Sequence, residues 1–153
     1  MKFLCDRMLG TLAKWLRIYG FDTFYATNEM SDDELIKIAK KDDRILITRD
    51  KELTYVGRRE NLKVIEINNT DIDSQLMQIL KGLEINEDAI LTRCLVCNSI
   101  LSTIDKKKVK NKVPESAFQL NEEFWICKKC KKIYWRGSHY DDMVERINQK
   151  PLK

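Results

Sequence analysis

Two closely spaced pairs of cysteines lie in the C-terminal part of the sequence. They are Cys94-Leu95-Val96-Cys97 and Cys127-Lys128-Lys129-Cys130, and 29 residues separate the pairs. The two-residue gap lets one tight turn direct both sulfurs of a pair toward a shared tetrahedral ion. A thioredoxin-like redox pair would need a βαβ context, which this lysine-rich region lacks. We therefore predict a zinc site, and the zinc should be structural because thiolates fill all four positions.

Three acidic residues in the N-terminal part occupy equivalent places in the predicted elements. Asp6 follows the apolar segment Lys2–Cys5, Asp50 follows Ile45–Thr48, and Asp32 lies at a helix N-terminus after another candidate strand. These places lie along the sheet edge where open parallel sheets bind ligands. Converging carboxylates repel one another unless a cation joins them, and Mg²⁺ or Mn²⁺ readily takes oxygen ligands. The pattern predicts a metal site able to activate water and hold a scissile phosphate.

Each acid also has a purely structural interpretation. Asp32 could cap its helix, Asp50 could start a turn, and Asp6 could pair with Arg7 or Arg49. Asp33 is the adjacent alternative to Asp32, and helix geometry turns the two side chains apart, so only one should face a metal.

The surrounding pattern alternates strands and helices. Apolar residues recur at helical spacing from Met8 to Tyr19, and Gly20 supplies the stop. Further strands are predicted at Thr23–Ala26 and Val64–Ile67, and Ser31 can cap the second helix. Such alternation implies βαβ crossovers. We predict the α/β class: a parallel sheet flanked by helices.

Charge divides the 153 residues unevenly. Residues 1–90 hold 14 Lys/Arg and 17 Asp/Glu, whereas residues 91–153 hold 14 Lys/Arg and 7 Asp/Glu, giving net charges of −3 and +7. The switch coincides with a break in the pattern, so we predict an α/β domain at 1–90 and a zinc module at 91–153. A basic module suits a polyanionic partner, although a solvated surface without a partner would have the same composition.

The remaining sequence features indicate the compartment. No apolar run approaches the ~18 residues of a membrane span, and Asp6 interrupts the N-terminus before a signal-peptide core could form. We expect a cytoplasmic protein without a membrane partner. A reducing compartment favours metal-bound over disulfide-bonded cysteines, and Cys5, within an apolar strand, should be a small buried hydrophobe.

Six stretches of the sequence carry a resemblance to a known family. They are Phe3–Gly10, Leu12–Arg17, Ser31–Leu35, Ile47–Asp50, Arg93–Asn98 and Tyr134–His139. Together they resemble the PIN-like ribonuclease domain with a C-terminal zinc ribbon, known from the C-terminal region of the Mut-seven exonuclease. The resemblance implies a PIN-like fold and metal-dependent ribonuclease activity, with Asp6, Asp32 and Asp50 as catalytic acids. Ordinary PIN domains have a further acidic residue between the positions of Asp6 and Asp32, where this sequence offers only Asp22 and Glu29. We therefore expect one catalytic metal ion or two with equal weight.

Basic and aromatic residues suggest how RNA would be held, since aromatics stack on bases while cations follow phosphates. The predicted contacts are Lys14, Arg17, Arg49, Lys106, Lys107, Lys108, Trp135, Arg136 and His139. Lys14 and Arg17 are predicted on the solvent side of the first helix. His139, the only histidine, could contact substrate, assist proton transfer or pack.

We therefore predict a divalent-metal-dependent ribonuclease whose zinc ribbon binds RNA, with tRNA or the ribosome as further candidate partners. The alternative is a non-catalytic RNA- or ribosome-binding adaptor whose acids are structural. A receiver- or phosphatase-like domain would need an acidic neighbour of Asp6, which Cys5 and Arg7 do not supply. A dinucleotide-binding fold would need a glycine-rich turn after the first strand.

Overall fold

A computed structural model of the chain describes residues 1–137. The first part alternates β1 Lys2–Cys5, α1 Gly10–Ile18, β2 Asp22–Tyr25, α2 Asp32–Lys41, β3 Ile45–Thr48, α3 Lys51–Arg59, β4 Val64–Glu66 and α4 Ile72–Leu80. The four strands form one parallel sheet in the order β2-β1-β3-β4. The prediction of an α/β fold with a parallel sheet flanked by helices is confirmed.

Both faces of this sheet are buried, which explains why the strands are nearly continuous apolar runs. On one face Phe3, Cys5 and Ile47 pack with residues of α1 and α4. On the other face Leu4 and Leu46 pack with residues of α2 and α3. Burial raises the pKa of the Cys5 thiol to about 12, as suits a small hydrophobic side chain that stays protonated.

Local signals set the helix ends. Ser31 caps α2 as predicted, because its side chain accepts a hydrogen bond from the Glu34 N–H at 3.2 Å. After α1, Gly20 has φ of 93°, and a Cβ there would lie 2.4 Å from the Ala89 carbonyl oxygen. Only glycine fits both the left-handed conformation and this close approach.

The second part contains an antiparallel sheet, in the order β5-β6-β7, with β5 at Ser102–Ile104, β6 at Phe124–Ile126 and β7 at Ile133–Trp135. Two short helices, α5 at Lys106–Val109 and α6 at Glu115–Leu120, lie between β5 and β6. This insertion accounts for the long gap between the cysteine pairs. A 3₁₀ turn at Glu87–Ala89 precedes this part, and the predicted boundary near residue 90 stays a prediction.

In the part of the chain that the structure describes, no helix combines the length and apolar character needed to cross a bilayer.

Candidate zinc centre and carboxylate edge

The four predicted zinc ligands come together in space. The Sγ atoms of Cys94, Cys97, Cys127 and Cys130 all lie within 4.8 Å of one another. With Zn–S bonds of about 2.3 Å, a tetrahedral site separates its sulfurs by about 3.8 Å, so these residues fit a zinc ion. Within residues 1–137, this is the one group of three or more His, Cys, Asp or Glu residues arranged so closely.

The thiols of this cluster differ in acidity: hydrogen bonding with Cys97 raises the pKa of Cys130 to about 12, whereas the pKa values of Cys94 and Cys97 are lowered. Burial opposes ionisation of Cys94, but hydrogen bonding to the Tyr134 hydroxyl and to backbone groups lowers its pKa. Burial likewise opposes ionisation of Cys97, yet hydrogen bonds led by those of Ser99 lower its pKa to about 6. The Tyr134 oxygen lies 3.2 Å from Cys94 Sγ and accepts from the Leu95 N–H at 3.1 Å. Tyr134, on β7, therefore orients the first cysteine pair.

Arg17 joins the first cysteine pair to the parallel sheet. Its Nε donates to the Thr23 carbonyl at 2.9 Å, and its Nη1 donates to the carbonyls of Leu95 and Val96 at 2.8 and 3.2 Å. The prediction that Arg17 lies on the solvent side of α1 is wrong, because the residue is only 7% exposed and its donors are used on the main chain. Lys14 is exposed, as predicted.

The strand order brings the three predicted acids to one edge. Because β1 lies between β2 and β3, Asp6 at the end of β1 lies between the segments that carry Asp32 and Asp50. The chain changes direction across the sheet between β1 and β3, because β2 lies on one side of β1 and β3 and β4 lie on the other. Doubly wound sheets bind their ligands at such a switch point. Asp22, by contrast, opens β2 at the opposite edge and pairs with Arg44 at 2.7 Å.

A buried hydroxyl connects Asp6 with Asp50. Thr48 Oγ1 donates to Asp6 Oδ2 at 2.9 Å and accepts from the Asp50 N–H at 3.0 Å. Asp50 Oδ1 accepts from the N–H groups of Glu52 and Leu53, so this acid caps α3. The cap uses Oδ1 alone, and Asp50 as a residue is exposed. Thr48 was not among the site residues predicted from the sequence.

Arg7 connects Asp6 with Asp32. Its main-chain N–H donates to Asp6 Oδ1 at 2.7 Å, and its Nε lies 3.8 Å from the same oxygen. Its Nη2 donates to Asp32 Oδ1 at 3.1 Å, and its Nη1 donates to the Met30 carbonyl. Carboxylates are a ligand type that suits a hard cation. The Arg7 guanidinium, however, lies against Asp6 and Asp32. The three acids do not form a close group like that of the four cysteines. Asp33, at the neighbouring position of α2, is exposed, whereas Asp32 is half-buried.

The predicted RNA contacts have unequal exposure. Lys107 and Lys108 are exposed, while Lys106 pairs with Glu122 at 3.0 Å and lies 4.9 Å from the Phe118 ring centroid. Three further predicted contacts are half-buried: Arg49, Trp135 and Arg136. The Arg136 guanidinium lies 5.1 Å from the Trp125 ring centroid. His139 lies outside the described residues.

Comparison with known proteins agrees with this arrangement. The model of the Mut7-C RNAse domain family matches residues 1–147. The matched range includes the parallel sheet, the three acids and the four clustered cysteines. No curated protein matches the chain significantly.

Proposed function

Because this chain belongs to the Mut7-C RNAse domain family, we propose that it is a ribonuclease that hydrolyses RNA phosphodiester bonds with a divalent cation. The observation that carries the proposal is the position of Asp6, a carboxylate only 3% exposed at the switch point of the sheet. Burying a carboxylate is unfavourable unless partners compensate for lost water. Asp6 has two such partners, the Arg7 N–H and the Thr48 hydroxyl. The fold thus maintains a fixed carboxylate where a parallel sheet binds its ligand.

Asp6, Asp32 and Asp50 are the residues that would hold Mg²⁺ or Mn²⁺. When bound, the ion would lower the pKa of a water molecule and offset charge on the phosphate. Thr48 would fix the orientation of the Asp6 carboxylate, since its own hydroxyl is held by the Asp50 N–H. The exposed lysines Lys107 and Lys108 would bind RNA phosphates, and the zinc would maintain the module that presents them.

A second candidate function is a non-catalytic RNA- or ribosome-binding adaptor. Two observations favour it: Asp50 acts as a helix cap, and Asp32 forms an ion pair with Arg7. Both contacts are structural roles that would account for these acids without chemistry. Divalent-dependent RNA cleavage separates the two functions.

The test compares neighbouring acids of α2. Zinc-loaded protein is incubated with end-labelled structured and single-stranded RNAs, with Mn²⁺ or with no added divalent cation. We expect Mn²⁺-dependent cleavage that falls roughly 100-fold or more in Asp32→Asn, because a metal's charge stabilisation is worth several kcal/mol. The matched control is Asp33→Asn, which removes the same charge from the same helical turn and should cleave normally. Cleavage without a divalent cation, or equal rates in both variants, would contradict the proposal.

A further inference from the structure

We propose that Arg7 is an internal counter-ion of the Asp6 and Asp32 carboxylates. Its ion pair with Asp32 and the binding of a divalent cation exclude each other. This inference rests on the proposed function, because it concerns the same metal site. It assigns to Arg7 the role of setting the affinity for the cation.

The inference is based on the contacts of the Arg7 guanidinium. Arg7 reaches both acids at once, with Nη2 3.1 Å from Asp32 Oδ1 and Nε 3.8 Å from Asp6 Oδ1. The Arg7 side chain is 28% exposed and that of Asp6 only 5%. The charges of Arg7 and Asp6 are therefore shielded from water and interact more strongly than those of a surface salt bridge, whereas the Asp32 side chain is 45% exposed and its pair with Arg7 is partly screened by solvent.

A divalent cation would bind the same two carboxylates. Mg²⁺ and Mn²⁺ bind carboxylate oxygens directly, and Asp32 Oδ1 already accepts from Arg7. A guanidinium and a dication on the same two carboxylates would also repel each other. Because Asp32 has a second oxygen, the competition is one of charge: the dication would displace the Arg7 guanidinium from Asp32 by repulsion.

The main chain around Arg7 is held independently of the guanidinium. The Tyr25 hydroxyl donates to the Arg7 carbonyl at 2.6 Å, and the Arg7 N–H donates to Asp6. A Cβ at Gly10 would lie 2.9 Å from the Tyr25 hydroxyl oxygen, so the glycine makes room for this contact. The side chain can consequently leave Asp32 by rotation while the backbone next to Asp6 stays in place.

The test measures Mn²⁺ affinity from the free Mn²⁺ signal in electron paramagnetic resonance, using zinc-loaded protein. We expect Arg7→Gln to bind Mn²⁺ roughly tenfold more tightly than wild type, since one competing cation is gone. Arg7→Lys keeps a charge but cannot reach Asp32 and the Met30 carbonyl together, so its affinity should fall between the two. The matched control is Lys51→Gln, which removes an exposed cation next to Asp50 without touching the Arg7 contacts.

Each outcome supports or overturns the role of Arg7. Tighter binding in Arg7→Gln, with little change in Lys51→Gln, supports the exclusion. Unchanged or weaker binding in Arg7→Gln, or equal tightening in Lys51→Gln, overturns the role of Arg7 and leaves the proposed function intact. If neither wild type nor any variant binds Mn²⁺, the metal site fails and the counter-ion role fails with it.

Discussion

The side-chain amide of Asn98 donates a hydrogen bond to the Asp22 carboxylate at 2.7 Å, and so joins the first cysteine pair to the edge strand β2. Asn98 Oδ1 also accepts from the Thr23 N–H at 3.0 Å, while Arg17 donates to the Thr23 carbonyl. An edge strand has no neighbouring strand to pair these outward groups. Asn98 and Arg17 therefore supply the hydrogen-bond partners that a further strand would otherwise supply to β2.

Asn98→Ala should lower the free energy of unfolding by about 1–3 kcal/mol, because the buried Thr23 N–H would no longer have an acceptor. Denaturant unfolding of zinc-saturated protein measures the change. Asn28→Ala, at an exposed loop position, should stay within about 0.5 kcal/mol of wild type. Equal stability of the two variants would contradict a structural role of Asn98.

Arg17→Met should destabilise the protein by at least about 1.5 kcal/mol, because it removes charged donors from buried carbonyl groups while keeping an apolar stem. Lys14→Gln, three residues earlier on the same helix, should be nearly neutral. Thermal unfolding of both variants measures the difference. A fall in RNA affinity in Arg17→Met without any fall in stability would instead place Arg17 at the RNA surface.

Tyr134→Phe should retain one zinc per chain but hold it roughly tenfold more weakly, because the Cys94 sulfur would have no hydroxyl neighbour to orient it. Competition with a coloured chelator measures the affinity, and elemental analysis measures the stoichiometry. Tyr55→Phe removes an exposed hydroxyl from α3 and serves as the control. Zinc affinity equal to wild type would show that the hydroxyl does not orient the ligand.

Neutralising Lys107 and Lys108 should reduce the slope of log RNA affinity against log salt by roughly 0.7 for each phosphate that the protein then fails to neutralise. Lys106→Gln should change the slope less, because Lys106 is already paired with Glu122. Binding titrations at several salt concentrations give the slopes. A larger effect of Lys106→Gln than of the exposed lysines would contradict this assignment.

The features predicted correctly from the sequence are the local ones. The Ser31 cap and the places of Asp6 after β1 and Asp50 after β3 depend on residues close in the chain, and the structure has them as expected. The two cysteine pairs come together as predicted, while the metal-binding role of the three acids stays a prediction. Helix α3, Lys51–Arg59, was not identified, since charged residues occupy much of it and only Leu53, Thr54 and Gly57 are buried. Few of its positions therefore show the apolar spacing that marks a helix in sequence.

Long-range contacts account for the remaining differences. Arg17 is buried because it bonds to carbonyl groups 78 and 79 positions away, which helical spacing alone does not predict. The link between Thr48 and Asp6 spans 42 positions and depends on β1 pairing with β3. The Arg7–Asp6 pairing, by contrast, was one of the structural interpretations that the sequence left open.

The most direct test of the metal-dependent nuclease is Asp50→Asn. Asparagine caps helices about as well as aspartate, so the melting temperature should hardly change, whereas the variant lacks the charge that would hold a hard cation. Cleavage rate, RNA affinity and melting temperature are measured for zinc-loaded wild type and variant, with and without Mn²⁺. We predict that Mn²⁺-dependent cleavage disappears while RNA affinity and stability persist; full cleavage by Asp50→Asn would contradict the account.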